Sequence, residues 1–205
     1  MAVREILELP HPTLRQRARK VRTIGSPVLR LAYDMVDTMR EAGGIGLAAN
    51  QVGVLRRVIV LQLPEEDEAS IYVNPEIVHR QGEREVEEGC LSIPGYRGLI
   101  TRSLWVRFRA MDHTTKLVKL KAEGMLSQVL EHEVDHLNGI LYIDHLESHQ
   151  QLIPVESQSE DGEPVEEDGT PATALDSGDD HHEQQELSVE HRSEGEETPA
   201  SLKVR

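Results

Sequence analysis

All six aromatic residues of this chain, Tyr33, Tyr72, Tyr96, Trp105, Phe108 and Tyr142, lie before residue 147. The charge divides at the same place. Residues 1–146 carry 20 Asp and Glu against 19 Lys and Arg, whereas residues 147–205 carry 17 against 3. A near-neutral stretch of the first length is an ordinary size for one buried core. The second stretch repels itself and has too few large apolar groups to order itself, so a disordered acidic tail is expected over 147–205. This gives one folded domain over 1–146, with the boundary falling near 147–150. The alternative is that Leu152, Ile153 and Val155 pack back on the core as a short element.

Several classes fall away. No run of 18 or more apolar residues is present, so no membrane-spanning helix and no membrane partner are expected. Met1-Ala2-Val3-Arg4-Glu5 lacks the basic and then apolar order of a secretory signal, which points to the cytoplasm. The single cysteine, Cys90, cannot close an intramolecular disulfide. A net charge of −15 argues against non-specific nucleic-acid binding by the whole surface, and no DNA partner is expected.

Hydrophobic spacing predicts a first helix opened by Ser26 as cap and Pro27 as first helical residue, with Leu31, Met35 and Met39 on one face. Gly43-Gly44 closes it. Val58–Leu61 reads as a buried strand and Pro64–Ala69 as an acidic loop. Short strands are predicted at 71–73, 76–79, 99–101, 104–110 and 116–121. Helical spacing returns from Gly124, with Leu126, Val129, Leu130, Val134 and Leu137, and stops at Asn138-Gly139. Helix, strands, helix is the order of an α+β fold.

The second helix carries His132-Glu133-Val134-Asp135-His136. Four residues are about one helical turn, so both imidazoles project from one face and can share a cation. Glu133 follows the first of them and can work as a general base without being a ligand. Two surface histidines on an amphipathic helix are the bland alternative, but the apolar flanks argue for burial, and buried polar groups need partners. A catalytic metal usually takes three protein ligands. Cys90, within Glu88-Gly89-Cys90-Leu91-Ser92, is the candidate third, a thiol held on a loop before the Pro94-Gly95 turn. A third segment, Gly44-Ile45-Gly46-Leu47-Ala48-Ala49-Asn50-Gln51, lacks a phosphate-loop pattern. Its small residues suit close backbone approach, with one amide donor at Gln51.

Together GIGLAANQ, EGCLS and HEVDH resemble the three signature segments of the peptide deformylases, in the family's order and spacing. HPTLRQRA and LNGILYIDHL also resemble the family, in its compact bacterial form. The resemblance implies antiparallel β-sheets around a central metal-binding helix. It implies hydrolysis of the formyl group of N-formylmethionyl nascent peptides by a monomer. Cys90, His132 and His136 would hold one divalent ion, usually Fe²⁺, with Zn²⁺, Ni²⁺ or Co²⁺ as substitutes. Glu133 would move the proton of the attacking water to the leaving amine. The Gln51 amide and the backbone N–H of Leu91 would stabilise the oxyanion. Backbone at Ile45, Gly46 and Gly89 would pair with the substrate, and Ile45, Leu126 and Val129 would line the methionine pocket. Glu88 could brace the cysteine segment by pairing with Arg102, or both could be plain surface.

The rival enzyme is an HExxH zinc endopeptidase, which takes a downstream Glu or His as third ligand; Asp144 and His145 are available. A rival from another class is an inactive binding protein, disfavoured because all three segments are intact. Arg15, Arg17, Arg19, Lys20 and Arg22 could touch ribosomal RNA near the peptide exit, although such runs are more often a solvated face. Family members that dock there are thought to use a basic C-terminal helix, and the acidic 147–205 departs from that pattern. His181-His182 reads as solvated tail.

Overall fold

The computed structural model describes residues 2–148 and 152–155. Among these are two α-helices, α1 (Ser26–Glu41) and α2 (Gly124–Asn138). The strands are β1 (Gly46–Ala48), β2 (Val58–Leu61), β3 (Ser70–Gln81), β4 (Arg84–Cys90), β5 (Ile93–Arg102), β6 (Trp105–Met111), β7 (Leu117–Glu123) and β8 (Leu152–Pro154). Short 3-10 turns cover Pro12–Arg15, Ala49–Val52 and Tyr142–His145. Every strand pair is antiparallel, in a five-stranded sheet of order β1-β2-β3-β6-β7 and a three-stranded sheet of order β4-β5-β8. The α+β expectation holds at this level.

α1 buries Leu31, Met35 and Met39, one turn apart, against Val58 and Val60 of β2. Its cap differs from expectation: Gly25 is the N-cap and Ser26 is already helical. α2 lays Leu130, Val134 and Leu137 on Phe108, Val106 and Ala122 of the large sheet. Each such fully buried side chain contributes roughly 1.5–3 kcal/mol relative to exposure. That packing fixes the roll of α2 and therefore the direction its histidines face. Gly139, at φ 78°, ends the helix, and a β-carbon there would strike the carbonyl oxygen of Arg15.

Three readings need correction. The strands expected at 71–73 and 76–79 are one strand, β3, whose register shifts between Val73 and Glu76. Asn74 bends the chain there at φ 54°, and its amide bonds both the N–H and the C=O of Val21 at 2.8 and 2.9 Å. Cys90 is not on a loop but is the last residue of β4. In β4 the buried face holds Val86 and Glu88, and a buried acid disguises the alternation of a half-buried strand.

The third correction concerns the boundary at 146. Leu152, Ile153 and Pro154 pair with Gly98, Arg97 and Tyr96 of β5, and Leu152 packs against the cluster around Tyr142. The alternative reading of this segment is the one observed. The rest of the acidic tail, with His181-His182, lies outside the described residues.

Candidate metal centre

α2 brings the two histidines together as the four-residue step requires. Their Nε2 atoms are 3.1 Å apart, and the rings meet edge to face. The end of β4 brings Cys90 Sγ to 3.2 Å from His136 Nε2. The ligand atoms of Cys90, His132 and His136 all lie within 4.8 Å of one another. Two further N–H groups point at the sulfur, from the Ser92 backbone at 3.4 Å and the Gln51 amide at 3.6 Å.

The His132 imidazole is braced from behind, whereas the buried Nδ1 of His136 has no hydrogen-bond partner among the described residues. His132 Nδ1 faces Glu88 Oε2 at 3.0 Å. Arg102 grips both oxygens of Glu88 at 2.9 Å, from Nε and Nη2. Burial raises the Glu88 carboxyl, but His132 and Arg102 outweigh it and hold the group at about 2. Glu88 is therefore an anion aimed at the imidazole. The pairing with Arg102 anticipated as one alternative is present and buried. His136 is 1% exposed, and its carbonyl accepts from the Asn50 amide.

The donor set fits a divalent cation. Burial, followed by the neighbouring His132, holds His136 well below its usual value, so it is a neutral imidazole with a lone pair to give. Burial lowers His132, but Cys90 and Glu88 outweigh it and raise the group well above its usual range. Cys90 and Glu88 thus favour positive charge at His132, beside a neutral His136. Two imidazoles and one sulfur leave further coordination positions on the open side.

On that side lies a cleft of about 520 Å³. Its lining includes Ile45, Gly46, Gln51, Gly89, Cys90, Leu91, His132 and Glu133, so eight of the nine residues expected as metal ligands, base, oxyanion donors or backbone partners share one cleft, with His136 behind them. Glu133 is 3% exposed; burial pushes its carboxyl up to about 7, and Oε2 has no hydrogen-bond partner among the described residues. Gln51 is oriented by the Ala48 N–H, which donates to Oε1 at 2.8 Å and turns Nε2 toward Cys90 and Ser92. β1 and β4 are each the outermost strand of their sheet, and both contribute lining residues.

Some expectations fall elsewhere. Leu126 packs with the Phe108 cluster rather than lining the cleft, and Met125 lines it instead. Asp144 caps the Leu141 N–H and pairs with Arg15, while His145 bonds Asp135, so neither joins the metal cluster. The sequence reading gave Asp135 no role and named Val155 only within a segment that could pack on the core, not as part of the cleft. Asp135 binds Arg102 at 2.6 Å, and Val155 lines the cleft beyond β8. A charged residue between two buried histidines was the available signal for Asp135; for Val155 the signal was the apolar run Leu152, Ile153 and Val155 within an acidic stretch.

Known proteins agree with this architecture. The family model described as polypeptide deformylase matches residues 3–152. A peptide deformylase of Dehalococcoides mccartyi (strain CBDB1) is 48% identical over 167 residues, covering 82% of this chain and 100% of that protein. One from Thermomicrobium roseum is 44% identical over 168 residues, covering 78% and 96%. A crystal structure of a peptide deformylase from Legionella pneumophila superposes with a TM-score of 0.70 at 43% identity, covering 73% of this chain and 89% of that one. One from Synechococcus elongatus in complex with actinonin gives 0.68 at 35%, covering 71% and 80%. With two histidines and a cysteine gathered beside a buried glutamate, and with these likenesses spanning most of the chain, the protein belongs to the polypeptide deformylase family.

Proposed function

We propose that this chain hydrolyses the formyl group of N-formylmethionyl peptides, releasing formate and a free amino terminus. The observation that carries the reading is the convergence of Cys90, His132 and His136 beside the unpartnered Oε2 of Glu133. A divalent ion held by those three side chains supplies Lewis acidity for water attack on the formyl carbon; the N₂S donor set suits Fe²⁺, Zn²⁺, Ni²⁺ or Co²⁺.

Glu133 accepts the proton of the attacking water and delivers it to the leaving amine. A carboxyl pushed up to about 7 suits both halves of that transfer near neutral pH. The Gln51 amide and the Leu91 N–H donate to the oxygen on which negative charge develops, each worth about 3–4 kcal/mol in the transition state. The substrate backbone pairs with Ile45, Gly46 and Gly89 as an added strand, and Ile45 and Val129 contact the methionine side chain. An endopeptidase reading is not favoured, because the third donor beside the histidines is Cys90 rather than a residue downstream of α2. The surface that would suit a contact with ribosomal RNA is the cleft lined by Arg19, Lys20, Arg22 and Arg56, whose lining contains no acid.

The test is anaerobic loading with Fe²⁺ or Ni²⁺, metal analysis, and formate release from formyl-Met peptides. Stoichiometric metal and turnover are expected in the wild type; in Glu133→Ala the metal stays and turnover falls at least a hundredfold. Turnover by Glu133→Ala near the wild-type rate would show that another group is the base.

A further inference from the structure

We propose that His145 is a positioning residue for His132, acting through Asp135, Arg102 and Glu88. The contacts form one unbroken chain. His145 Nε2 lies 2.9 Å from Asp135 Oδ2. Arg102 Nη1 donates to that same oxygen at 2.6 Å. The other edge of the guanidinium, Nε and Nη2, holds both oxygens of Glu88 at 2.9 Å. Glu88 Oε2 faces His132 Nδ1 at 3.0 Å. The three inner members are buried, with the side chains of Glu88, Arg102 and Asp135 5%, 4% and 9% exposed. His145 is 33% exposed and stands at the outer end.

Geometry makes this chain stiff. A guanidinium is planar, so fixing Nη1 on Asp135 fixes the plane in which Nε and Nη2 meet Glu88. Glu88 Oε2 in turn sets the angle of the His132 ring about its long axis, and so the direction of the Nε2 lone pair. Asp135 is the hinge of the arrangement. It receives Arg102 on one side and His145 on the other through a single oxygen. With the imidazole gone, that oxygen loses one of the two donors that fix its position. His145 itself is firmly placed, because Tyr142 and Ile143 in its own turn are buried and Asp144 Oδ2 caps the turn at Leu141 N. A surface cavity of about 700 Å³ adjoins Asp135, Arg102 and His145, so water can reach the site of a smaller side chain there without collapse of the core. The neighbouring Arg80–Glu131 pair is satisfied separately, with Ser103 donating to Glu131, and does not substitute for His145.

The inference rests on Cys90, His132 and His136 as the metal ligands, and the experiment separates the two claims. Full-length wild type, Cys90→Ser, His145→Ala and His145→Gln are loaded with Co²⁺. For each we would measure bound Co²⁺, the visible absorption spectrum, and the rate of Co²⁺ loss to excess chelator. The wild type is expected to bind one Co²⁺ with a sulfur-dependent spectrum that Cys90→Ser abolishes. His145→Ala should bind Co²⁺ but lose it roughly 10-fold faster, with shifted visible bands. His145→Gln, whose amide N–H can reach Asp135, should restore both the rate and the bands. Because that rescue depends on a donor at one position, a general loss of packing would not produce it. Wild-type rate and spectrum in His145→Ala, or no rescue by His145→Gln, would overturn the role of His145 while leaving the ligand set intact. A wild type whose spectrum is indifferent to Cys90→Ser would overturn both.

Discussion

Glu133 Oε1 occupies the space that a β-carbon on residue 46 would need, and Val129 Cγ1 would stand only 3.0 Å from the same point. β1 therefore passes α2 so closely that glycine is the residue that fits at 46. Gly46→Ala is expected to push the Glu133 carboxylate aside. A shift of about 1 Å at a catalytic group can cost about 100-fold. We expect kcat to fall by about that factor with metal content unchanged, as read by steady-state kinetics beside metal analysis. An unaltered kcat would show that Glu133 can yield without cost.

Gln51→Ala removes a donor aimed at the developing oxyanion. The expected result is a fall in kcat of about 10²–10³ with KM changed less than about threefold, since the interaction strengthens in the transition state. An effect confined to KM would make Gln51 a ground-state contact.

Acid should loosen the N-terminal segment. The Ala2 N–H and then the Arg4 guanidinium hold the Asp34 carboxyl below its usual range. A carboxyl depressed in the folded state stabilises it above the unfolded value of about 3.9, and that contribution is lost as pH falls through the folded value. The thermal midpoint of the wild type should therefore fall more steeply below about pH 4 than that of Asp34→Asn. Parallel curves would show that the pair adds nothing to stability.

Shortening the chain at two points separates β8 from the remaining tail. A protein ending at Val155 should match the full chain in thermal midpoint and kcat/KM. One ending at Leu146 loses the pairing with Tyr96–Gly98 and the Val155 wall of the cleft. A loss of about 2 kcal/mol would lower the midpoint by about 4–8 °C at this size, and KM should rise. Equal behaviour of the two proteins would show that β8 is dispensable.

Neutralising Arg19 and Arg56 together should weaken sedimentation with ribosomes and flatten its salt dependence, while kinetics on short formyl peptides stay the same. No association, salt-independent association, or association indifferent to the double variant would leave this cleft without a role in ribosome binding.

The parts of this molecule legible in its sequence are those in which local spacing and burial agree. α2 was readable because Leu130, Val134 and Leu137 keep one helical face and Asn138-Gly139 supplies the stop. The metal cluster was readable because histidines one turn apart face the same way. β4 was not, since Glu88 sits on its buried face and is neutralised by Arg102, fourteen residues away. β8 was hidden in a stretch whose composition speaks for solvent, and it is ordered by pairing with β5 and by Leu152 packing on the Tyr142 cluster. The line from His145 to Glu88 joins separate elements through side chains alone, and no local period encodes it.

Two strands that end their sheets, β1 and β4, contribute to the walls of one cleft. A peptide that completes them must arrive extended, with several unpaired backbone groups of its own. An amino terminus already wound into a helix or packed under a loop has none to give. If substrate pairs with these edges as proposed, deformylation competes with the folding of its own substrate, and its window would close for each protein when that protein's first residues find their native partners.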